Sequence, residues 1–324
     1  MTNIKTIAES LGVSSATVSN ALSGKGRISA EMAERVRRRA DEVGFRPSQA
    51  ARALKTGRSG ILGFVMPDLS NPLFPKLAQS VEIAATKAGY GVLIADSRGD
   101  VDEQTAAIER LRQRGVDGIV IVPHRGTRPK IQSLPAAVIH TPSDPLNTVS
   151  SDHAEGGRQA AQALIDLGHR DILILGGDRA SEVQRDRIDG MVGVLGPVAR
   201  HRTAWTTDGF PDIADLVAAG VTGVLTTSDL IALRVLGDAY QAGIKVPDDL
   251  SIIGFDDMPL ATAVRPTLST VAQDVGQIAE KAVTHVHSLI NNEQSNAGGM
   301  VVPMTLTLRA STAAARHHQT GEPS

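Results

Sequence analysis

The sequence predicts an α/β protein: an all-α helix-turn-helix head with a hinge helix, then a core of two doubly wound parallel-sheet halves. Three observations carry this expectation. Short helical patterns fill the stretch from Ile4 to Val43. A joint rich in small residues, Thr56-Gly57-Arg58-Ser59-Gly60, follows. Beyond it, short apolar runs alternate with amphipathic helices, the pattern of parallel sheets with right-handed crossovers.

Composition sets the bounds. A chain of 324 residues exceeds one ordinary core, and 41% apolar against 21% charged residues argues for packed aliphatic domains rather than disorder. There are no cysteines, which excludes disulfides, thiolate catalysis and cysteine-ligated metals. The polar start MTNIKTIAES has no secretory apolar region, and no run is long and apolar enough to span a membrane; a cytoplasmic protein without membrane contact is expected. Net charge is only −2, but it is unevenly spread. Residues 1–60 carry eleven Lys/Arg against five Asp/Glu, and the remainder carries 22 against 30. A basic head on an acidic body suits phosphate contact at one end, although a solvated basic helix around Arg35–Arg39 would give the same count.

In the head, helices are expected over Ile4–Ser10, Ser14–Leu22 and Ser29–Val43. Ser14 and Ser29 supply hydroxyls that accept the free N–H groups of a first turn. Gly12 sits in the turn, where φ > 0 is needed, and Ala8 is small where the helices cross. Ile7, Leu11, Val13, Val18 and Ala21 form the apolar seam. The second helix then offers Ser15, Ala16, Ser19 and Asn20 to a major groove, with Thr17 suited to phosphate or base edges. Asn20 has the geometry to bind adenine in bidentate fashion. Gln49–Leu54 is expected to form one more short helix.

In the core, strands are expected at Ile61–Met66, Gly91–Ala95, Gly118–Val122, Ala136–Ile139, Asp171–Leu175, Gly223–Thr226 and Leu250–Gly254. Helices are expected at Pro75–Ala88, Val101–Arg114, Glu155–Leu167 and Leu230–Ala242. So many units exceed one sheet, so two halves are expected, with a ligand between them outside the carboxyl ends of the strands.

Several signals carry no chemistry. Gly156-Gly157 and Gly176-Gly177-Asp178 lack the Lys-Ser/Thr of a phosphate loop. His285 and His287 face different sides of a helix, and His317-His318 lies in a polar tail, so no metal site and no cofactor are expected. There is no G-x-S-x-G or H-E-x-x-H, and no enzyme is predicted.

Several motifs then resemble one family. Val13-Ser14-Ser15-Ala16-Thr17-Val18-Ser19 resembles the recognition-helix signature of the lactose/galactose-repressor (LacI/GalR) regulators. Phe45-Arg46-Pro47-Ser48-Gln49-Ala50-Ala51-Arg52-Ala53-Leu54-Lys55 is similar to their hinge. Asp68-Leu69-Ser70-Asn71-Pro72-Leu73-Phe74, Leu167-Gly168-His169-Arg170 and the run Val246 to Asp257 resemble core segments, as do Leu268-Ser269-Thr270-Val271 and Leu308-Arg309-Ala310-Ser311-Thr312.

The resemblance implies a periplasmic-binding-protein-like core and a repressor of transcription. Its partners would be double-stranded DNA at a pseudo-palindromic operator, a second copy of the chain, and a small-molecule effector, a sugar or sugar derivative. DNA contacts would come from Thr6, Ser14, Ser15, Ala16, Thr17, Ser19 and Asn20, and from Arg52, Ala53, Leu54 and Lys55, with Leu54 as an apolar wedge in the minor groove. Asn20 stands where relatives usually carry Arg. The effector would meet Asn71, Phe74, His140, Arg187, Ser228, Asp256 and Gln273, with Trp205 or Phe210 as the stacking aromatic. Read alone, Arg187 also suits a surface ion pair and Asp256 a buried turn cap.

The implied boundaries are a head at 1–46, a hinge at 47–60 and a core at 61–312. The core halves are 61–151 with 275–302, and 152–272 with 303–312. Residues 313–324 form a disordered tail. The alternatives are a family regulator with a degenerate effector site and a non-regulatory solute-binding protein.

Overall fold

The computed structural model describes residues 4–23, 28–45, 57–131, 133–196, 198–293 and 299–316. It divides into two units, Met1–Gly60 and Ile61–Ser324. Gln49–Leu54, expected as a hinge helix, lies outside the described residues.

The head has helices α1 (Ile4–Leu11), α2 (Ser15–Ser23) and α3 (Ala30–Glu42). Gly12 has φ 66°, which lets the chain reverse while Val13 N–H closes α1 onto the Ala8 carbonyl at 3.0 Å. Ser14 Oγ accepts from Thr17 N at 3.0 Å and caps α2, and Ser29 caps α3 through Met32 N. Ile7, Ala8, Val18, Ala21, Val36 and Ala40 form a small core of mostly short side chains, with Leu11 and Val13 at its edge.

In the second unit, one sheet runs β2-β1-β3-β4, all parallel: β1 Ile61–Met66, β2 Gly91–Asp96, β3 Gly118–Ile121 and β4 Ala136–Val138. Helices Leu73–Lys87 and Val275–Ile290 pack on one face through Leu77, Val81, Ile278 and Val283. Helix Val101–Gln113 covers the other through Ile108 and Leu111.

The second sheet runs β12-β10-β9-β8-β6-β7: β6 Asp171–Gly176, β7 Arg200–Trp205, β8 Gly223–Thr226, β9 Ser251–Asp256, β10 Ser269–Gln273 and β12 Met304–Thr307. Only β12 is antiparallel, against β10. Helices His153–Asp166 and Glu182–Leu195 lie on one face, and Ile213–Ala218 and Asp229–Gln241 on the other. A two-stranded ladder, β5 (Val149–Ser151) with β11 (Met300–Val302), completes the described strands. Among the described residues no helix is long and apolar enough to cross a membrane.

Three differences from expectation have physical causes. The sequence reading has no strand at β7, whose residues RHRTAW are largely exposed. β7 pairs only with β6 among the described strands, and a charged edge strand shows little apolar alternation. Helix His153–Asp166 starts two residues early because Asp152 caps it, its side chain accepting from Glu155 N. Residues 313–316, expected to belong to a disordered tail, are held by the core. Ala313 and Ala315 are hydrogen-bonded to His169, Ser251 and Leu167, and Arg316 pairs with Asp248 and Asp249, while residues 317–324 lie outside the described set.

Candidate functional site: a recognition helix and an inter-sheet cleft

The head presents a polar face by burying the opposite one. Val18 and Ala21 of α2 are inside, Ser15 and Ala16 are exposed, and Thr17, Ser19 and Asn20 are half-buried beside them. Ser14 is the N-cap that the sequence leads one to expect. Its hydroxyl caps α2 and pairs with Thr17 Oγ1 at 2.9 Å, so both hydroxyls help hold the helix start. Thr6 is exposed on α1. Arg52, Ala53, Leu54 and Lys55 lie outside the described residues.

The core gathers its charged groups at the carboxyl end of the second sheet. Arg187 is 3% exposed and Asp256 4%, and Arg187 Nη2 meets Asp256 Oδ1 at 2.9 Å. The remaining guanidinium nitrogens are also engaged: Nη1 donates to the Thr227 carbonyl at 2.6 Å and Nε to His153 Nδ1 at 3.3 Å, while the plane lies over Phe255. Gln273 Nε2 donates to the same Asp256 oxygen at 2.6 Å. Ser151, on β5, donates to Gln273 Oε1 at 2.9 Å. Thus Arg187 is no surface ion pair; it belongs to a buried, almost fully satisfied network. Asp256 and Asp257 leave β9 at φ 101° and 48°, strained conformations for non-glycine residues and a frequent mark of functional loops.

Two glycines make this possible. Helix Glu182–Leu195 lies so close to helix His153–Asp166 that a Cβ on Gly157 would overlap the Arg187 carbonyl, and one on Gly190 the Ala154 carbonyl. Gly157 belongs to the glycine pair rejected above as a phosphate loop; its use is a helix contact that seats Arg187. Burial, followed by the Arg187 charge, holds His153 well below the usual histidine range, and a hydrogen bond to the His140 backbone opposes this.

The first sheet's carboxyl end is different. Ser97, His124 and His140 follow β2, β3 and β4, and Ser97 Oγ, His124 Nδ1 and His140 Nδ1 are buried without a hydrogen-bond partner among the described residues. Burial pushes the His140 pKa down, against the opposing charges of Asp144, Glu182 and Asp186. Contacts cross between the two rims. Arg125 reaches Asp178 at 3.5 Å, Ser143 donates to Asp186 at 2.9 Å, the Thr141 hydroxyl also donates to Asp186, and Lys76 donates to the Asp257 carbonyl.

The structure therefore brings Arg187, Asp256 and Gln273 together, with His140 joined to them through His153. The other expected residues are engaged locally. Asn71 Oδ1 accepts from Leu73 N and Phe74 packs on the first-sheet core, so both secure the start of helix Leu73–Lys87. Ser228 caps helix Asp229–Gln241. Trp205 is buried in the second-sheet core, and Arg234 covers Phe210 at 3.9 Å. Sequence reasoning missed the weight of Asp229. It is fully buried, accepts from Thr270 Oγ1 at 2.6 Å and Met258 N at 2.7 Å, and its carboxyl is raised by burial to about 7.

The chain thus comprises a helix-turn-helix unit and a unit of two mainly parallel sheets with polar groups gathered at their carboxyl ends. Residues 3–48 match the model for bacterial regulatory proteins of the lacI family, and residues 161–312 match a periplasmic binding protein-like domain. The chain is 34% identical to a helix-turn-helix transcriptional regulator in the aml 5' region of Streptomyces limosus, over 95% of this chain and 93% of that one. It is 28% identical to the ribose operon repressor of Halalkalibacterium halodurans, over 96% and 97%. The fold is like that of the lac repressor dimer bound to operator and the anti-inducer ONPF, with TM-score 0.82 and 23% identity over 97% of this chain and 99% of that one. The chain belongs to the lacI family of bacterial regulatory proteins.

Proposed function

We propose that this protein is a homodimeric transcriptional repressor that binds a pseudo-palindromic operator and whose affinity for it is set by a sugar-like effector in the cleft. The observation that carries the DNA half is α2, capped at Ser14, buried through Val18 and Ala21, and offering Ser15, Ala16, Ser19 and Asn20 on its other side. The relatives named above, a ribose operon repressor and an operator-bound dimer, support the same reading. The effector half is favoured by the buried Arg187–Asp256–Gln273 network and by the buried polar atoms that follow β2, β3 and β4, groups suited to a ligand with many hydroxyls. A solute-binding protein would need no recognition helix.

Ligand acts through its differential affinity for two arrangements of the halves, with coupling typically of about 1–3 kcal/mol. The hinge, with Leu54 wedged into the operator centre, is the element so biased. Selecting bound sequences from a random DNA pool, then titrating the chosen site with and without sugars, tests the reading. A palindromic consensus whose occupancy changes with one sugar is expected. Leu54→Ala should weaken that site at least tenfold while leaving non-specific DNA nearly unchanged. Uniform binding of all sequences would overturn the proposal.

A further inference from the structure

Three side chains able to hold a metal converge on the seam between the two halves. His140 and Asp144 follow β4, and Glu182 opens the helix Glu182–Leu195 on the second sheet. One ligand atom from each lies within 4.8 Å of the other two. His140 Nδ1 stands 3.6 Å from Asp144 Oδ2 and 3.6 Å from Glu182 Oε2. The imidazole is 5% exposed and this nitrogen has no hydrogen-bond partner, since 3.6 Å is too long for one. A buried polar atom left unpaired between two carboxylates is costly unless something else joins them.

We propose that His140, Asp144 and Glu182 form a site for a divalent transition cation, Zn²⁺ being the best match, which ties the two halves of the core together. An ion equidistant from atoms so spaced sits about 2.4 Å or less from each, so movements of tenths of an ångström reach the roughly 2.0–2.2 Å of Zn–N and Zn–O bonds. The mixed nitrogen and oxygen donors favour zinc over calcium or magnesium, which take oxygen shells. Three protein ligands leave one position for water or a ligand oxygen. Asp186, held by the Thr141 and Ser143 hydroxyls, adds negative potential beside the site. Arg128, 3.6 Å from Asp144 Oδ2, and Arg185, 3.6 Å from Glu182 Oε1, balance the carboxylates in its place. Both arginines are well exposed, and Arg185 also donates to the Arg179 carbonyl at 2.6 Å, which holds it beside the site as the ion enters. Spread over residues 140 to 182, the ligands give no spacing signal of the kind a sequence search finds.

The test is calorimetric titration of ZnCl₂ into the full-length protein after dialysis against EDTA, with melting followed in parallel. Wild type should take up one ion per chain and melt higher with zinc. His140→Ala, Asp144→Asn and Glu182→Gln should each weaken uptake at least tenfold and lose the melting shift. A His317→Ala, His318→Ala double variant should bind as wild type does. If His140→Ala melts far below wild type before zinc is added, Glu182→Gln, at a half-buried position on a helix start, decides the question. Absence of saturable uptake, or equal uptake by Glu182→Gln, overturns the proposal. The readout is metal uptake, so a failure here leaves the regulator reading intact, and a failure of operator binding leaves this one intact.

Discussion

The two rims of the cleft are built on opposite principles. On the second sheet, Arg187, Asp256 and Gln273 satisfy one another, and Thr227, His153 and Phe255 complete the shell. On the first, Ser97, His124 and His140 bury polar atoms that have no hydrogen-bond partner among the described residues. The second rim is thus preorganised within the fold, whereas the first has three buried polar atoms without a partner among the described residues. Under the proposed effector reading, a polar ligand would gain hydrogen bonds at the first rim and be oriented by the second.

Breaking the rigid rim should therefore cost most. Arg187→Ala leaves the Asp256 carboxylate buried with only Gln273 and strands the Thr227 carbonyl. Removal of one partner from a buried ion pair typically destabilises by about 3–5 kcal/mol. Urea melts should show that loss, and the effector response should vanish with it. A variant as stable as wild type would mean that the pair is not buried in solution.

Asp229 extends the same rim and supplies a pH signature. Burial raises its carboxyl from 3.8 to about 7, against the Thr270 and Met258 hydrogen bonds that favour the charged form. With the folded value above the unfolded one, the folded state binds the proton more tightly. Asp229 then contributes full stability only below about pH 4, and that contribution is lost as pH rises to about 7. The whole effect is on the order of 2–4 kcal/mol. Asp229→Asn should flatten this fall between pH 5 and 8 relative to wild type; identical slopes would refute the assignment.

Below these in size comes the helix contact that seats Arg187. Gly190→Ala drives a methyl into the Ala154 carbonyl, and overpacking of this kind costs about 1–3 kcal/mol. Because the helix must shift, the effector response should weaken together with the melting temperature. An unshifted melting curve would show that the helices part freely.

How much of this was legible in the sequence follows from how local each cause is. Caps at Ser14 and Ser29 and the turn at Gly12 are set by neighbouring residues, so the head's helices read correctly to within a residue or so. The apolar strands β1, β3, β6 and β8 read equally well because both faces are covered. β5 and β11 have three residues each and show no periodicity to read. Motifs single out Arg187, Asp256 and Gln273, but nothing local says that they touch one another, since 86 residues separate Arg187 from Gln273. The close approach at Gly157 and Gly190 is not legible in the sequence, because the backbones they admit are brought near only by the tertiary fold.

The smallest expected change is the sharpest test of the contrast between rims. Ser97 is 1% exposed and its Oγ is unpaired, so its burial already costs free energy without return. Replacing a buried, unsatisfied hydroxyl by a methyl removes that penalty at almost constant shape, so Ser97→Ala should leave the free protein unchanged or more stable by up to about 1 kcal/mol. Any ligand that uses the hydroxyl should lose affinity at the same time, seen as a smaller ligand-induced rise in melting temperature. Stability and binding would then move in opposite directions at Ser97 and in the same direction at Arg187. If Ser97→Ala instead destabilises the free protein, the hydroxyl has a partner in the resting state and the first rim is as preorganised as the second.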